Sequence, residues 1–266
     1  MPATPPIRVS ASPALGRRLV AEFLGTALLV LFGAGSVVAA LRTGNGTLDY
    51  PGLGMVAFAF AFVIAVAIFA FGTTSGAHIN PAVTIALTAR GRFPPAEAGP
   101  YVVAQVVGAV AGALLILAAF GDHAVDVGLG TTGLAPGVSV ARGMVAEAIG
   151  TFLLITAVFA LAVDRRGPPG WAALGIGLSV AAAILVVGPL TGGSLNPART
   201  FGPLLVLSLW NGATNWGDLW AYVVGPIVGG VLAAYAYDLV ARPREAEMAA
   251  REPAQGTAGP VTGHRE

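Results

Sequence analysis

Eight apolar segments, separated by short polar gaps, restrict the fold of this chain more than any other feature of the sequence. Six of them have close to the ~20 residues that an α-helix needs to cross about 30 Å of hydrocarbon. These six segments are 19–41, 53–71, 98–120, 141–163, 171–190 and 219–240. The other two, 80–89 and 196–207, have about half that length. The sequence therefore predicts an all-α membrane protein with six tilted transmembrane helices and two half-helices.

The composition agrees with a membrane environment and excludes several other classes. Charged residues make up 10% of the chain, whereas soluble domains carry roughly a quarter. No basic patch indicates a nucleic-acid partner. The absence of cysteine excludes disulfides and cysteine-ligated metals, and we predict no metal site and no cofactor.

The chain also repeats itself. The sequence AEFLGT at 21–26 returns as AEAIGT at 146–151, and the NPA sequence at 80–82 returns at 196–198. Three spans in each half require the second copy to be inverted relative to the first. We therefore predict one domain over 17–241, with repeat one at about 17–120 and repeat two at about 141–241. An inverted repeat with one broken helix per half places a functional site near the middle of the membrane, and each half-helix must be enclosed by protein or water.

Arginine placement predicts the orientation of the chain. When six spans are threaded in order, Arg42, Arg142 and Arg199 fall on one side of the membrane and the other eleven arginines fall on the opposite side. By the positive-inside rule both termini are cytoplasmic, as in a multi-pass protein of the cell membrane. The polar ends, 1–16 and 242–266, are predicted to be disordered cytoplasmic tails. No cleavable signal peptide is evident, so the first apolar run is interpreted as a retained span.

The two short segments each begin with a helix-capping sequence. Asparagine is a favourable N-cap, and proline at the first helical position sacrifices no hydrogen bond. Asn80-Pro81 and Asn196-Pro197 therefore start two half-helices whose positive dipole ends converge at the membrane centre. At 4 Å and an effective dielectric of 20, each end repels a monovalent cation by roughly 2 kcal/mol. The asparagine amides can donate hydrogen bonds to a neutral molecule. This arrangement favours passage of water and opposes protons and cations.

The two capping segments resemble the signature loops of a known family. SGAHINPAVT at 75–84 and TGGSLNPAR at 191–199 closely resemble those of aquaporins and glycerol facilitators, the major intrinsic proteins. The resemblance extends over about 17–241. It implies a right-handed bundle in which the half-helices meet at the centre, with Ala82 and Ala198 completing the two motifs. It also implies a homotetramer with a separate pore in each subunit.

Three further polar residues lie inside the apolar segments, and a fourth lies in the first loop. In the family, glutamates matching Glu22 and Glu147 brace the bent loops by accepting hydrogen bonds, and we prefer that role to a proton relay. Gln105 is expected to satisfy a neighbouring group. His78, in the first loop, is interpreted as a packed, hydrogen-bonded imidazole in preference to a pH sensor.

The resemblance also implies an outer constriction with four corners. By motif spacing these fall on Phe60, Ile184, Gly193 and Arg199. The Arg199 guanidinium can offer donors to water and repel cations. Water-selective members carry histidine in place of Ile184. We expect isoleucine, with open space at Gly193, to widen the constriction and to form an apolar wall with Phe60.

These residues are compatible with more than one function. The favoured hypothesis is a passive channel for water that tolerates small neutral solutes such as glycerol. The alternative is a facilitator of glycerol, ammonia, peroxide or a neutral metalloid hydroxide. Against a dedicated glycerol channel, Thr200 and Tyr222 stand where facilitators carry aspartate and tend to carry proline. A secondary transporter would need coupling carboxylates facing the pathway. An enzyme is disfavoured because no nucleophile and base cluster appears.

Overall fold

Helices account for most of residues 13–241, the part of the chain that the computed structural model describes. We number nine α-helices in chain order. They are α1 (Leu15–Thr43), α2 (Tyr50–Ser75), α3 (Pro81–Ala89), α4 (Pro95–Phe120), α5 (Asp122–Asp126), α6 (Val140–Val163), α7 (Ala172–Thr191), α8 (Pro197–Leu209) and α9 (Leu219–Val240). Short 3₁₀ turns occupy Gly128–Gly130 and Trp216–Asp218. Within the described residues there is no β-strand, which confirms the predicted fold class.

All six predicted spans are present, and α3 and α8 are the two half-helices. The first span also changes the predicted N-terminal tail. It begins at Leu15 rather than at residue 19, so the last two residues assigned to the N-terminal tail (1–16) are helical. The start of α1 is held by α4, because the Arg18 Nε donates to the Tyr101 hydroxyl at 2.8 Å and Arg18 pairs with Glu97 at 2.7 Å. The predicted tail 242–266 lies outside the described residues.

The outer surface of the bundle is apolar, while many polar side chains are buried. Phe62, Val186 and Leu239 expose 62%, 71% and 84% of their surfaces, whereas Glu22 and Glu147 expose none. In water this arrangement would leave large apolar patches uncovered; in a bilayer the lipid chains cover them. The protein is therefore a multi-pass membrane protein.

Glycines let the first and third spans of each repeat approach closely. A Cβ atom at Gly108 of α4 would lie 3.1 Å from the backbone carbon of Phe23 in α1. At the matched place in repeat two, a Cβ at Gly229 of α9 would lie 2.6 Å from the Cα of Ala148 in α6. Small residues at such crossings allow helix backbones to pack directly in membranes.

The half-helices tie the two repeats together. The half-helix α3 of repeat one packs against α9 of repeat two, and α8 packs against α4. Each half-helix is thus enclosed by the opposite repeat, which satisfies the requirement that a broken span be shielded from lipid. The crossing brings the N-terminal ends of α3 and α8 together inside the bundle.

Candidate functional site

Asparagine caps both half-helices, as the sequence predicted. The Asn80 Oδ1 accepts from the amide of Ala82 at 2.8 Å. The Asn196 Oδ1 accepts from the amides of Ala198 and Arg199 at 3.0 and 3.2 Å. In both cases proline occupies the first helical position. The caps fix the asparagine side chains at the point where the half-helices begin.

The same two side chains join the loops to each other. The Asn80 Nδ2 donates to the carbonyl of Leu195 at 2.9 Å, and the Asn196 Nδ2 donates to the carbonyl of Ile79 at 2.9 Å. Each asparagine therefore contacts the residue that precedes the other asparagine. An amide nitrogen carries two hydrogens, so each side chain retains one further donor. Both asparagines line one internal cavity.

Glu22 braces the first loop. Its Oε1 accepts from the Ser75 hydroxyl at 2.7 Å and from the amide of His78 at 2.9 Å. Its Oε2 accepts from the amide of Ile79 at 2.7 Å and from the Gln105 Nε2 at 2.8 Å. Ile79 has a positive φ of 45°, a conformation that costs free energy in residues with side chains. The carboxylate compensates by accepting from the amides that this conformation turns toward it.

Glu147 braces the second loop in the same way. Its Oε1 accepts from the Thr191 hydroxyl at 2.6 Å and from the amide of Ser194 at 3.0 Å. Its Oε2 accepts from the amide of Leu195 at 2.7 Å. Leu195 has a positive φ of 57° and corresponds in the repeat to Ile79. Both glutamates are fully buried and occupied with loop donors, so their geometry suits bracing.

Two tyrosines add a brace that the sequence reasoning missed. The Tyr101 hydroxyl donates to the carbonyl of Ser75 at 3.0 Å, and the Tyr222 hydroxyl donates to the carbonyl of Thr191 at 2.7 Å. Each bond holds the C-terminal end of the second span in its repeat. The signal available in the sequence was one tyrosine seven residues before the packed glycine of each third span, Tyr101 before Gly108 and Tyr222 before Gly229.

Arg199 belongs to the first turn of α8 and is almost completely buried. Its guanidinium carbon lies 5.2 Å from the centre of the Phe60 ring, and its NH1 donates to the carbonyl of Gly130 at 2.8 Å. Its Nε has no hydrogen-bond partner within the described part of the chain. Gly130 belongs to the connector between the repeats, and sequence reasoning assigned it no role. A backbone carbonyl is present in every residue, so residue types in the sequence cannot identify this partner of Arg199.

The other two predicted corners contact each other. A Cβ atom at Gly193 would lie 3.1 Å from the Cγ1 of Ile184 and 3.2 Å from its Cα. A side chain at position 193 would therefore meet α7, which bounds the space beside Gly193 on this side. The structure groups the four corners as two contacting pairs, Phe60 with Arg199 and Ile184 with Gly193.

Hydroxyl groups attach the second loop to the connector between the repeats. The Thr200 hydroxyl lies 2.6 Å from that of Ser194 and 3.0 Å from that of Thr132. Ser194 in turn donates to the carbonyl of Asn196 at 2.9 Å. The sequence analysis considered Thr200 only as a difference from glycerol facilitators. Its contacts link the residue after Arg199 to the segment that carries Gly130.

His78 is packed and hydrogen-bonded in the first loop. Its Nδ1 lies 3.1 Å from the Thr84 hydroxyl. Its ring centre is 4.7 Å from that of Phe93 and 5.2 Å from that of Tyr101. The geometry agrees with the packed-imidazole interpretation. Gln105 also donates to the Thr84 hydroxyl, at 2.9 Å, so the histidine and Glu22 share one hydrogen-bond network.

A cavity of about 400 Å³ extends from the asparagines to the face of the bundle that carries Arg92 and Arg165. Its wall is mostly aliphatic, with polar groups contributed by the two loops. Phe60 also lines it. A mostly apolar wall with a few fixed polar groups is typical of a site that binds small molecules weakly while orienting them.

Two half-helices that meet inside six spans, with capped asparagines on one cavity, define the class as a membrane channel of the aquaporin type. Residues 9–237 match the model of the family described as "Major intrinsic protein". The chain belongs to this family, whose members are channels and not enzymes.

Similar proteins agree on the family. A probable aquaporin AqpM of Archaeoglobus fulgidus is 49% identical over 86% of this chain and 98% of its own length. Aquaporin AqpM of Methanothermobacter marburgensis is 45% identical over 84% of this chain and 96% of its own. The crystal structure of the aquaglyceroporin from Plasmodium falciparum superimposes with a TM-score of 0.76 at 25% identity, covering 85% of this chain and 97% of that one.

Proposed function

We propose that the protein is a passive channel that conducts water and also admits small uncharged solutes such as glycerol, while it excludes protons and ions. The observation that carries this proposal is the pair of asparagine caps on one cavity. Each amide retains a donor for a passing neutral molecule, and the converging helix ends oppose cations. The names of the similar proteins, aquaporin and aquaglyceroporin, support both solutes as candidates.

Selectivity is assigned to Phe60, Ile184, Gly193 and Arg199. Arg199 supplies one cationic donor, and Phe60 with Ile184 supplies an apolar surface that suits a carbon skeleton. An ion at such a site would lose hydration without receiving replacement ligands. Gly193 packs on Ile184, so the argument for solute passage rests on position 184. There the chain lacks the histidine donor of water-selective members.

A facilitator whose main substrate is glycerol, ammonia, peroxide or a neutral metalloid hydroxide is the second candidate, with water secondary. The apolar side chain of Ile184 favours it, because replacing a histidine donor by isoleucine lowers the hydrogen-bonding capacity offered to water. An ion-coupled transporter is disfavoured, since Glu22 and Glu147 are both occupied with loop donors.

Orientation, location and assembly follow from the same hypothesis. We assign both termini to the cytoplasm, because the face with Arg18, Arg90, Arg92 and Arg165 holds most of the positive charge. We place the protein in the cell (plasma or inner) membrane. We also propose a homotetramer in which lipid and neighbouring subunits cover the apolar outer surface and each subunit has its own pore.

Reconstitution tests the proposal. Purified protein in liposomes is exposed to an osmotic step in a stopped-flow instrument, first with an impermeant solute and then with glycerol. We expect faster shrinkage than in empty liposomes, followed by reswelling in glycerol, and no current under a proton or sodium gradient. Accumulation of a solute at the expense of such an ion gradient would overturn the channel hypothesis in favour of a transporter.

A further inference from the structure

The first span contains a π-helical turn whose position is not reproduced in the second repeat. In α1 the residues Leu29–Ala34 form this turn, seven to twelve positions after Glu22. The same interval after Glu147 gives 154–159 in α6, where the helix is regular up to Val158. The π turn of α6 comes later, at Phe159–Val163. A π turn inside a helix is uncommon and is frequent at functional sites. Both repeats therefore have a π turn in their first span, but at different distances from the buried glutamate. This difference in position indicates that the α1 turn serves a feature that also differs between the repeats.

Gly33 in this turn lies directly against Phe60. A Cβ atom at Gly33 would lie 2.6 Å from the Cδ1 of Phe60 and 2.8 Å from its Cζ. The aromatic ring therefore occupies the space that any side chain at position 33 would need. The Ser36 hydroxyl donates to the carbonyl of Gly33 at 2.6 Å, which satisfies a carbonyl within the turn.

The next residue of the turn lies against the connector. A Cβ atom at Gly130 would lie 2.8 Å from the backbone carbon of Ala34. Gly130 has a φ of +69°, so its own backbone conformation favours glycine. The carbonyl of Gly130 is the one that accepts from Arg199. Adjacent residues of the π turn thus lie against both residues that hold Arg199, Phe60 and Gly130.

We propose that the π-helical turn of α1, through Gly33 and Ala34, positions Phe60 and Gly130 around Arg199 and thereby sets how well the pore distinguishes glycerol from water. Gly33 is a positioning residue in this scheme, since it acts through the Phe60 ring. The inference rests on the proposed pore. Arg199 occurs once in the inverted repeat, which is consistent with a π turn that has no counterpart at the equivalent positions of α6.

The direction of the effect follows from the contacts. The Phe60 ring contacts Gly33 of α1, has the Arg199 guanidinium over it and lines the internal cavity. A methyl group at position 33 pushes the ring away from α1 and toward the cavity. The narrowing affects the larger solute more, so glycerol permeability should fall relative to water permeability.

A double-mutant cycle tests this coupling. Water and glycerol permeabilities are measured in liposomes for the wild type, Gly33→Ala, Phe60→Leu and the double variant. We expect Gly33→Ala to lower the glycerol-to-water ratio by about threefold or more, which is the lower end of coupling between contacting residues. In the Phe60→Leu background the same change should have almost no effect, because the shorter side chain leaves room for the methyl group.

Gly35→Ala is the matched control. It lies two residues further along α1, where an added Cβ would be 3.4 Å from the Cγ1 of Ile116, an ordinary contact. We expect its ratio to equal that of the wild type. A Gly33→Ala ratio equal to that of Gly35→Ala overturns the inference while leaving the proposed channel intact. A wild type with no permeability for water or glycerol overturns the channel proposal itself.

A folding defect in Gly33→Ala does not prevent the test. If this variant fails to accumulate in the membrane, the double variant with Phe60→Leu should restore accumulation, since the collision is with that ring. Restored accumulation supports the contact, and a double variant as unstable as Gly33→Ala overturns it.

Discussion

The two loops that enter the bundle from opposite sides have the same backbone and different surroundings. In the first loop the buried carboxylate accepts from two amides, from Ser75 and from Gln105. In the second it accepts from two amides and from Thr191, and no glutamine is present. The second loop is linked instead through hydroxyls to the connector, and it leads into Arg199.

This difference separates what the fold needs from what selectivity needs. In both loops the backbone turns through a positive φ and directs two amide groups into the protein interior. In each repeat one buried carboxylate accepts from both amides. Arg199 and its Gly130 partner occur once, and the π turn of α1 has no counterpart at the equivalent positions of α6. These three features lie together around the second loop. Symmetry therefore identifies the scaffold, and departures from it identify the groups that we propose to discriminate among solutes.

The largest effect should come from removing a brace. Glu22→Ala or Glu147→Ala leaves two buried loop amides unpaired, and each such donor costs about 1–3 kcal/mol. We expect each variant to lose at least about 2 kcal/mol of folding free energy on that basis. Heating the detergent-solubilised protein while following helix content by circular dichroism measures the loss.

The brace prediction has an internal comparison. Glu22 has one more donor than Glu147, so Glu22→Ala should be the less stable of the two. Glu97→Ala serves as the control, because it removes only an ion pair with Arg18 at the membrane face, where such pairs are worth at most about 1 kcal/mol. If the Glu22 and Glu147 variants unfold at the temperature of the Glu97 variant, the bracing role is refuted.

Loss of the cation near the second loop should alter ion exclusion. Arg199→Val removes a fixed positive charge, and we expect proton or cation leak to rise by about tenfold or more, since a charge 4 Å from the path contributes several kcal/mol at an effective dielectric of 20. A pH-sensitive dye trapped in liposomes reports the proton leak. Arg142→Ala is the control, because this arginine is exposed outside the pore. Equal leak in both variants would assign ion exclusion to the half-helix ends alone.

A change at the opposite corner should affect the solute more than water. Ile184→His adds a donor and a ring, so glycerol permeability should fall by about tenfold while water permeability stays within a few-fold, a size of discrimination expected from one pocket residue. The volume-conserving Ile184→Leu is the control and should resemble the wild type. A wild type that excludes glycerol as completely as Ile184→His would show that another residue closes the pore.

The smallest effect should come from the hydroxyl links of the second loop. Thr200→Val keeps the shape of the side chain and removes its contacts with Ser194 and Thr132, at about 1 kcal/mol for a typical hydrogen bond. The melting temperature in detergent should fall by a few degrees. Thr156→Val, which removes a hydroxyl bonded only to a carbonyl one helical turn away on a partly exposed surface, should change it less. An equal change in both variants would mean that the hydroxyl links contribute nothing specific.

Much of the scaffold could be predicted from the sequence, because its causes are local. Apolar length predicted the six spans, and α9 has the predicted bounds. Asn-Pro pairs predicted both helix starts, since capping involves a residue and its next two or three amides. Repetition paired Glu22 with Glu147. The start of α1 at Leu15 was predicted less well. The first turn of this helix is held by the contacts of Arg18 with Glu97 and Tyr101 in α4 rather than by its own hydrophobicity.

The sequence by itself determined the membrane-spanning fold, the inverted repeat and the two capped half-helices, because length, hydropathy and capping depend on near neighbours along the chain. Only the tertiary structure decided which atoms surround Arg199. The Gly130 carbonyl and the Gly33 contact with Phe60 join positions far apart in sequence, and the packing of Gly193 on Ile184 depends on how the second loop folds back onto α7. Backbone carbonyls and glycines produce no recognisable pattern of residue types in the sequence. Their roles become visible only when helix packing brings them into contact.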